Sequence, residues 1–488
     1  MSFNLETREF NKNEKIIVTI GVVILILITL LTNYFGSTDV GDYADSAKYF
    51  AGKFHADLRN SHSYLYGFLH APLLKILDSF ILLKLSSIFF LLLIIYSLYI
   101  MSNKNKKVLL LSLFSPIIWY MAPWISPIPI ASLCLLWAYY FIKRYDKTDN
   151  IKFLLASGFL IGLGWTFWNT IMFIAVFMVL SFLCNKKLAD FIYFSVFILI
   201  GLLPIMILDY RLFHFPFYSL IKTTAGNFSI MLFGGIYGSS SSSFNLLATI
   251  LILLTFPLAY WKFYKSFKEY KKDLIFLSLC LLLIISNSQL RYALALVPMV
   301  YLLIGNSLTN KQFKKQMILS LILLLIFIFP YIIQLKYGIN GSVSGSEITG
   351  LIAEHHLNLD RESYSSLIKQ DLSDIEKDYK NESFLVGNGA DDYEPLAYLY
   401  WGNGINSFLS VQDYDLFLKN QTIIFQKTIM PMPRIPERRQ IWISGGISRG
   451  NDHTDYSSIK YAIGINQPVK IDGFSVVKKY NLLYLSKR

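Results

Sequence analysis

The chain has 488 residues, 54% hydrophobic and 16% charged, with mean hydropathy +0.46, a balance that excludes an ordinary soluble globule. Its formal charge of +13 does not point to nucleic acid, because Lys and Arg fall in short clusters between apolar runs rather than along one face. A polytopic α-helical membrane protein is the class that remains.

The first apolar run, Lys15 to Phe35, is too long for a signal peptide and lacks a small-residue cleavage site, so it is expected to stay as an anchor. Directly behind it stands Gly-Ser-Thr-Asp39-Val-Gly-Asp42-Tyr43-Ala-Asp45, three carboxylates at i, i+3 and i+6 where lipid meets water. An enzyme that draws its substrate from a bilayer needs a base or metal ligand at this depth, which makes Asp39 and Asp42 the first catalytic candidates, with Asp45 and Tyr43 beside them. The same spacing suits a solvated first turn of a loop helix capped by Asp39. This outer loop, Gly36 to Asp78, also carries His55, Asp57, Arg59, His62 and His70. Its stretch Leu73-Leu74-Lys75-Ile76-Leu77 reads as an amphipathic helix on the membrane surface.

Ten more spans are expected, about eleven in all, at Ser79 to Met101, Val108 to Trp124, Ile128 to Ile142, Phe153 to Trp168, Thr170 to Leu183, Phe191 to Leu208, Phe244 to Trp261, Leu274 to Ile285, Tyr292 to Leu308 and Met317 to Gln334. Pro116, Pro123, Pro127, Pro129 and the glycines 158, 162 and 164 can kink these helices or let them pack closely. Cations occupy alternate connections: Lys104, Lys106 and Lys107; Lys143, Arg144 and Lys147; Lys186 and Lys187; Lys262 to Lys272; Lys311 to Lys315. That alternation places the amino terminus in the cytoplasm and everything beyond about residue 336 outside. The second outer loop, Asp209 to Ser243, opens Asp209-Tyr-Arg211-Leu-Phe-His214 and ends in a serine run, a flexible segment able to act as a lid. Arg291 stands at the outer edge of a late span, where its guanidinium could hold two phosphate oxygens or simply snorkel. Arg59, Arg211, His70 and Lys222 are lesser candidates for the same task.

The composition divides the chain into residues 1–335, membrane-embedded, and 336–488, a small extracytoplasmic α/β domain. In the latter a helical stretch near Glu347 to Lys380 precedes short apolar runs at Phe384 to Val386, Phe408 to Val411, Ile441 to Ser444 and Phe474 to Val477. A helix near Glu394 to Trp401, between two of these strands, suggests that they pair in parallel. All three cysteines fall in or at the ends of spans, so no disulfide framework is expected outside.

Asp39-x-x-x-Tyr43-x-x-x-Ala47, followed by Tyr66-Gly-Phe-Leu-His70-Ala-Pro72-Leu, resembles the first outer loop of GT-C membrane glycosyltransferases. So do the glycine-rich Ala156 to Thr166, the run from Gly201-Leu-Leu-Pro204 to His214, and Arg291-Tyr292-Ala-Leu-Ala-Leu-Val-Pro298. The similarity is to the polyprenyl-phosphate-sugar branch, such as protein O-mannosyltransferases and lipid A aminoarabinose transferases. It implies an inverting transfer of a sugar, mannose among the candidates, from an isoprenoid phosphate to a glycan, lipid or protein acceptor at the cell envelope. Asp39 or Asp42 would be the base, and Arg291, Arg211 or Arg59 would meet the donor phosphate. Mg or Mn could sit at Asp39, Asp42 and a histidine, yet no compact metal-ligand motif occurs and no other cofactor is implied. The alternative from another class is a transporter or flippase of lipid-linked saccharides, which should place ionisable residues near the bilayer midplane.

Overall fold

A computed structural model describes residues 12–31, 43, 46–47, 50–52, 64–77, 80–184, 188–220, 264, 273–281, 290–305, 307–337, 370–371, 373–375, 377–379, 384–387, 460–465, 468, 473–481 and 483–488. The helices are α1 Lys12–Leu31, α2 Tyr64–Ile76, α3 Phe80–Met101, α4 Lys106–Leu113, α5 Pro116–Met121, α6 Ile128–Thr148, α7 Ile151–Phe167, α8 Ile171–Cys184, α9 Leu188–Phe213, α10 Val297–Gly305 and α11 Asn310–Tyr337. A 3-10 helix, Leu290–Ala295, leads into α10, and residues 273–281 are helical. Four helices among the described residues are long and apolar enough to cross a membrane: α1, α3, α9 and α11. Of the other expected spans, several are shorter than a bilayer or broken, and Phe244 to Trp261 lies outside the described residues.

The clearest departure from the expected spans is Val108 to Trp124, which is two short helices joined at a break. Asn105 starts α4 by accepting the Lys107 N–H at 2.8 Å. The helix cannot run on through Pro116, which lacks an N–H and clashes with the preceding turn, but Pro116 suits the first position of α5. A break in an apolar interior frees carbonyls, and one of them, Leu113 O, accepts the Trp119 indole N–H at 2.6 Å.

Polar contacts gather the cation-rich connections at one end of the bundle. Lys106 donates to Glu14 at 2.6 Å, Lys107 to Leu308 O at 2.7 Å, and Tyr145 to Asp190 at 2.7 Å. Asp273, buried, takes Lys143 on one carboxylate oxygen at 2.7 Å and Tyr139 on the other at 2.5 Å. The apolar residues exposed on α1, α3, α9 and α11, Ile20, Phe89, Leu199 and Leu325 among them, are those expected where hydrocarbon is the solvent.

Helices α7 and α9 run in the same direction and approach so closely that glycine is required. A Cβ on Gly162 would lie 2.1 Å from Ile198 O, and one on Gly201 2.2 Å from Phe159 O. Because the obstacle in each case is backbone, no side chain can swing aside to make room.

Helix α2 begins already at Tyr64, well before the surface helix expected from Leu73. One face is buried through Tyr64, Tyr66, His70 and Leu74, while Phe68, Leu69, Leu73 and Ile76 are exposed. Gly67 receives the first loop, for a Cβ there would meet Ser46 Oγ at 2.2 Å and Ala47 N at 2.6 Å. His70 ties α2 to α3. Its Nδ1 lies 2.7 Å from Tyr66 O, which can only accept, so that nitrogen carries the proton, and Nε2 takes the Ser86 hydroxyl at 2.5 Å. Burial pushes the imidazole down to about 4, which keeps it neutral at physiological pH.

The chain ends in a four-stranded mixed sheet of β1 Phe384–Gly387, β2 Tyr461–Ile465, β3 Ser475–Lys479 and β4 Leu483–Lys487, in the order β1-β2-β4-β3. Parallel pairing occurs, but β1 pairs with β2, and the other pairs are antiparallel. Buried Asp371 anchors the β3–β4 turn by accepting from Asn481 N at 3.1 Å, Asn481 Nδ2 at 2.7 Å and Leu483 N at 3.0 Å. The expected elements at Glu394 to Trp401, Phe408 to Val411 and Ile441 to Ser444 lie outside the described residues. Cys134 and Cys280 carry free, buried thiols.

Two outcomes follow for purified protein in detergent. Gly162→Ala or Gly201→Ala should lower the thermal midpoint, at a cost of about 1–3 kcal/mol, by prising α7 from α9. For His70 the unfolded ring titrates near 6.5 and the folded one near 4, so the stability present above pH 6.5 drains away as pH falls toward 4. The full loss is on the order of 3 kcal/mol, and His70→Gln should flatten that acid limb of the midpoint-against-pH curve.

Candidate active site opposite the cation-rich end

Helix direction places the candidate residues. Since Glu14, Tyr145, Asp190 and the start of α7 occupy the cation-rich end, α1 leaves the bundle at the opposite one. By the same reasoning Trp124 before α6, Trp168 after α7 and Asp209 near the end of α9 belong to that opposite end. Lys84, buried in the second turn of α3, donates to Thr29 O at 3.1 Å and so holds the last turn of α1 there.

Arg291 belongs to this end too, and is only 5% exposed. Its guanidinium carbon lies 5.5 Å from the Trp124 ring and 5.2 Å from the Tyr292 ring, and Nη2 donates to the Tyr292 hydroxyl at 3.4 Å. Trp168 stacks flat on the other ring, Tyr292, with centroids 4.9 Å apart and planes within 8°. Aromatic faces offset part of the lost hydration of a buried cation, by about 2 kcal/mol when desolvated. A guanidinium's forked N–H groups match, in shape and charge, an anion with two oxygens such as a phosphate.

Asp209 and the indole N–H of Trp168, at this end, are also sealed from solvent. Asp209 is fully buried, and its Oδ2 accepts Ser219 N at 3.0 Å and Ser219 Oγ at 2.8 Å. Among the described residues its Oδ1 has no hydrogen-bond partner, nor has the Nε1–H of Trp168. Each such group costs about 1–3 kcal/mol.

Of the residues singled out in the sequence, the structure brings Tyr43 and His70 together through Tyr66, whose ring lies 5.5 Å from Tyr43 and 4.1 Å from His70. Both ring nitrogens of His70 are engaged, so in this arrangement it secures α2 rather than offering a base. Arg211 lies in the last turn of α9 and is exposed. Asp39, Asp42, Asp45, Arg59 and Lys222 lie outside the described residues, though the three aspartates follow the exit of α1 and interleave in sequence with Tyr43 and Ser46. No group of three His, Cys, Asp or Glu side chains that could hold a metal occurs among the described residues. Sequence reasoning passed over Lys84, although one cation in the apolar run of α3 was a signal. The aromatic enclosure of Arg291 had no signal, since Trp124, Trp168 and Tyr292 are far apart in the chain.

Among the described residues Lys84, Asp209 and Arg291, buried charged side chains at this end, lie within about two turns of a helix terminus, as does buried His70. They are not at mid-span.

No protein-family description matches the chain, and no curated protein does. Two solved structures do, both of ArnT from Cupriavidus metallidurans. The form bound to undecaprenyl phosphate superposes with a TM-score of 0.56 over 98% of this chain and 98% of that one, at 10% identity. The apo form gives a TM-score of 0.56 over 97% of each chain, at 11% identity. At such identity the agreement concerns architecture: this chain shares the overall fold of ArnT along nearly its whole length.

Proposed function

We propose that the chain is a multi-pass membrane glycosyltransferase that moves a sugar from a polyprenyl phosphate to an acceptor on the extracytoplasmic face. The observation that carries this reading is the fold shared end to end with an ArnT structure bound to undecaprenyl phosphate. Buried Arg291 supports it, lying in an aromatic enclosure at the end of the bundle where α1 ends, a few residues before the three aspartates in sequence.

The chemistry is an inverting displacement at the anomeric carbon. The carboxylate of Asp39 or Asp42 takes the proton of the acceptor hydroxyl as the new glycosidic bond forms. The bond from the anomeric carbon to the phosphate oxygen breaks on the far side, and the pair of electrons leaves with the lipid phosphate. Arg291 neutralises the charge that develops there, with Arg211 and Arg59 as further cations for the donor. The acceptor is a glycan, a lipid or a protein, and mannose is one sugar of the hexose class that the resemblance favours. Should a divalent ion take part, Asp39 and Asp42 are the residues suited to hold it. A flippase or transporter would call for charge near mid-depth, whereas among the described residues the buried charges of Lys84, Asp209 and Arg291 lie near helix termini.

The test is to incubate purified protein and an acceptor-containing membrane extract with a panel of polyprenyl-phosphate sugars and to measure released lipid phosphate. Asp39→Asn and Asp42→Asn should leave folding intact while one of them lowers turnover by about 10²–10⁴-fold, the share typical of a general base. Arg291→Ala should lower it by about 10²–10³-fold. Full activity in both aspartate variants would remove the mechanism.

A further inference from the structure

Trp168 and Asp209 are far apart in the chain, but the close approach of α7 and α9 brings them to one level. A Cβ on Gly158 would meet Phe194 O, and one on Gly162 would meet Ile198 O and the Cα of Gly201, so the two parallel helices keep a constant register. Continued at about 1.5 Å per residue, that register sets Asp209 within roughly one turn of the level of Trp168. There the structure shows one donor and one acceptor, both sealed from solvent and both without a partner among the described residues: Trp168 Nε1–H and Asp209 Oδ1. Trp168 is 7% exposed and Asp209 fully buried. The face of Trp168 lies on Tyr292, whose hydroxyl accepts from Arg291.

We propose that Trp168 and Asp209 form a subsite for the sugar of the donor lipid, beside the phosphate position at Arg291. The inference rests on the glycosyltransferase reading and extends it from the phosphate to the sugar. A pyranose or furanose linked to a phosphate carries hydroxyl groups within a few ångströms of it, each able to donate and to accept. The indole N–H would donate to one such hydroxyl, and the free carboxylate oxygen would accept from another. Folds seldom retain buried polar atoms unpaired, and where they do the site of use is the first place to look. The Ser219 bonds to the other oxygen hold the Asp209 side chain in place, so that Oδ1 keeps one direction. A site whose polar atoms are left unpaired without its ligand also rejects lipids that lack the hydroxyls.

The experiment compares two probes on the purified full chain in detergent: undecaprenyl phosphate, and the same lipid phosphate carrying hexoses or pentoses, by equilibrium binding. Trp168→Phe keeps the stack on Tyr292 and removes only the N–H. Asp209→Asn keeps an oxygen for Ser219 and turns the free acceptor into a donor. The wild type should bind at least one sugar-bearing lipid more tightly than bare undecaprenyl phosphate. Each variant should lose about five- to tenfold for that sugar-bearing lipid, with affinity for the bare lipid unchanged. Equal weakening toward both lipids, or a full retained preference in Trp168→Phe, as a fixed water between the two groups would give, overturns the subsite. A wild type that binds the bare lipid but shows no sugar preference overturns it as well, leaving the lipid-phosphate reading intact. Failure to bind either lipid removes the proposed function itself.

Discussion

A guanidinium cannot be left in an apolar protein interior unless something replaces its water, and much of the arrangement at one end of this bundle answers that requirement at Arg291. Two aromatic faces, Trp124 and Tyr292, lie within cation–π range of it. They come from the irregular stretch before α6 and from the 3-10 turn before α10, so both breaks in helical structure are needed to deliver them. A continuous helix through Pro116 to Trp124 would have carried Trp124 elsewhere. Irregular backbone at membrane depth is tolerated where its freed groups find partners, as Leu113 O does in the Trp119 indole.

The second constraint is steric. Glycine at 162 and 201 lets the backbones of α7 and α9 touch, and this contact sets the heights of the residues that follow each helix. Trp168 closes α7 with its backbone N–H bonded to Gly164 O, and its indole stacks on Tyr292. Asp209 comes to rest near the same height because α9 rises beside α7 without slipping. Packing along the helices thus decides which polar groups come to one level.

Much of this molecule is legible along the chain. Hydropathy identifies a multi-pass helical protein, and the cation clusters identify connections that do gather at one end, as the pairs Lys106–Glu14 and Lys143–Asp273 show. The strands at Phe384 and Ser475 were readable from their apolar runs, but β2 and β4 were not, since Tyr461–Ile465 and Leu483–Lys487 are short and interrupted by Gly or polar residues. His70 was legible as an unusual residue near the membrane, yet its engagement with Tyr66 O and Ser86 depends on how α2 folds back on α3. A histidine reads the same in a string of letters whether it is a base or a brace.

What the sequence alone determined is the solvent each segment prefers, because transfer between hydrocarbon and water depends on composition over about twenty residues and little else. The long apolar helices α1, α3, α9 and α11 follow from that local preference. Which distant residues meet is a different kind of fact. The wall of Trp124, Tyr292 and Trp168, the lysine clasp from Lys84 to Thr29, and the shared height of Trp168 and Asp209 arise from contacts between helices, and those contacts turn on a few ångströms of backbone approach that no local pattern encodes.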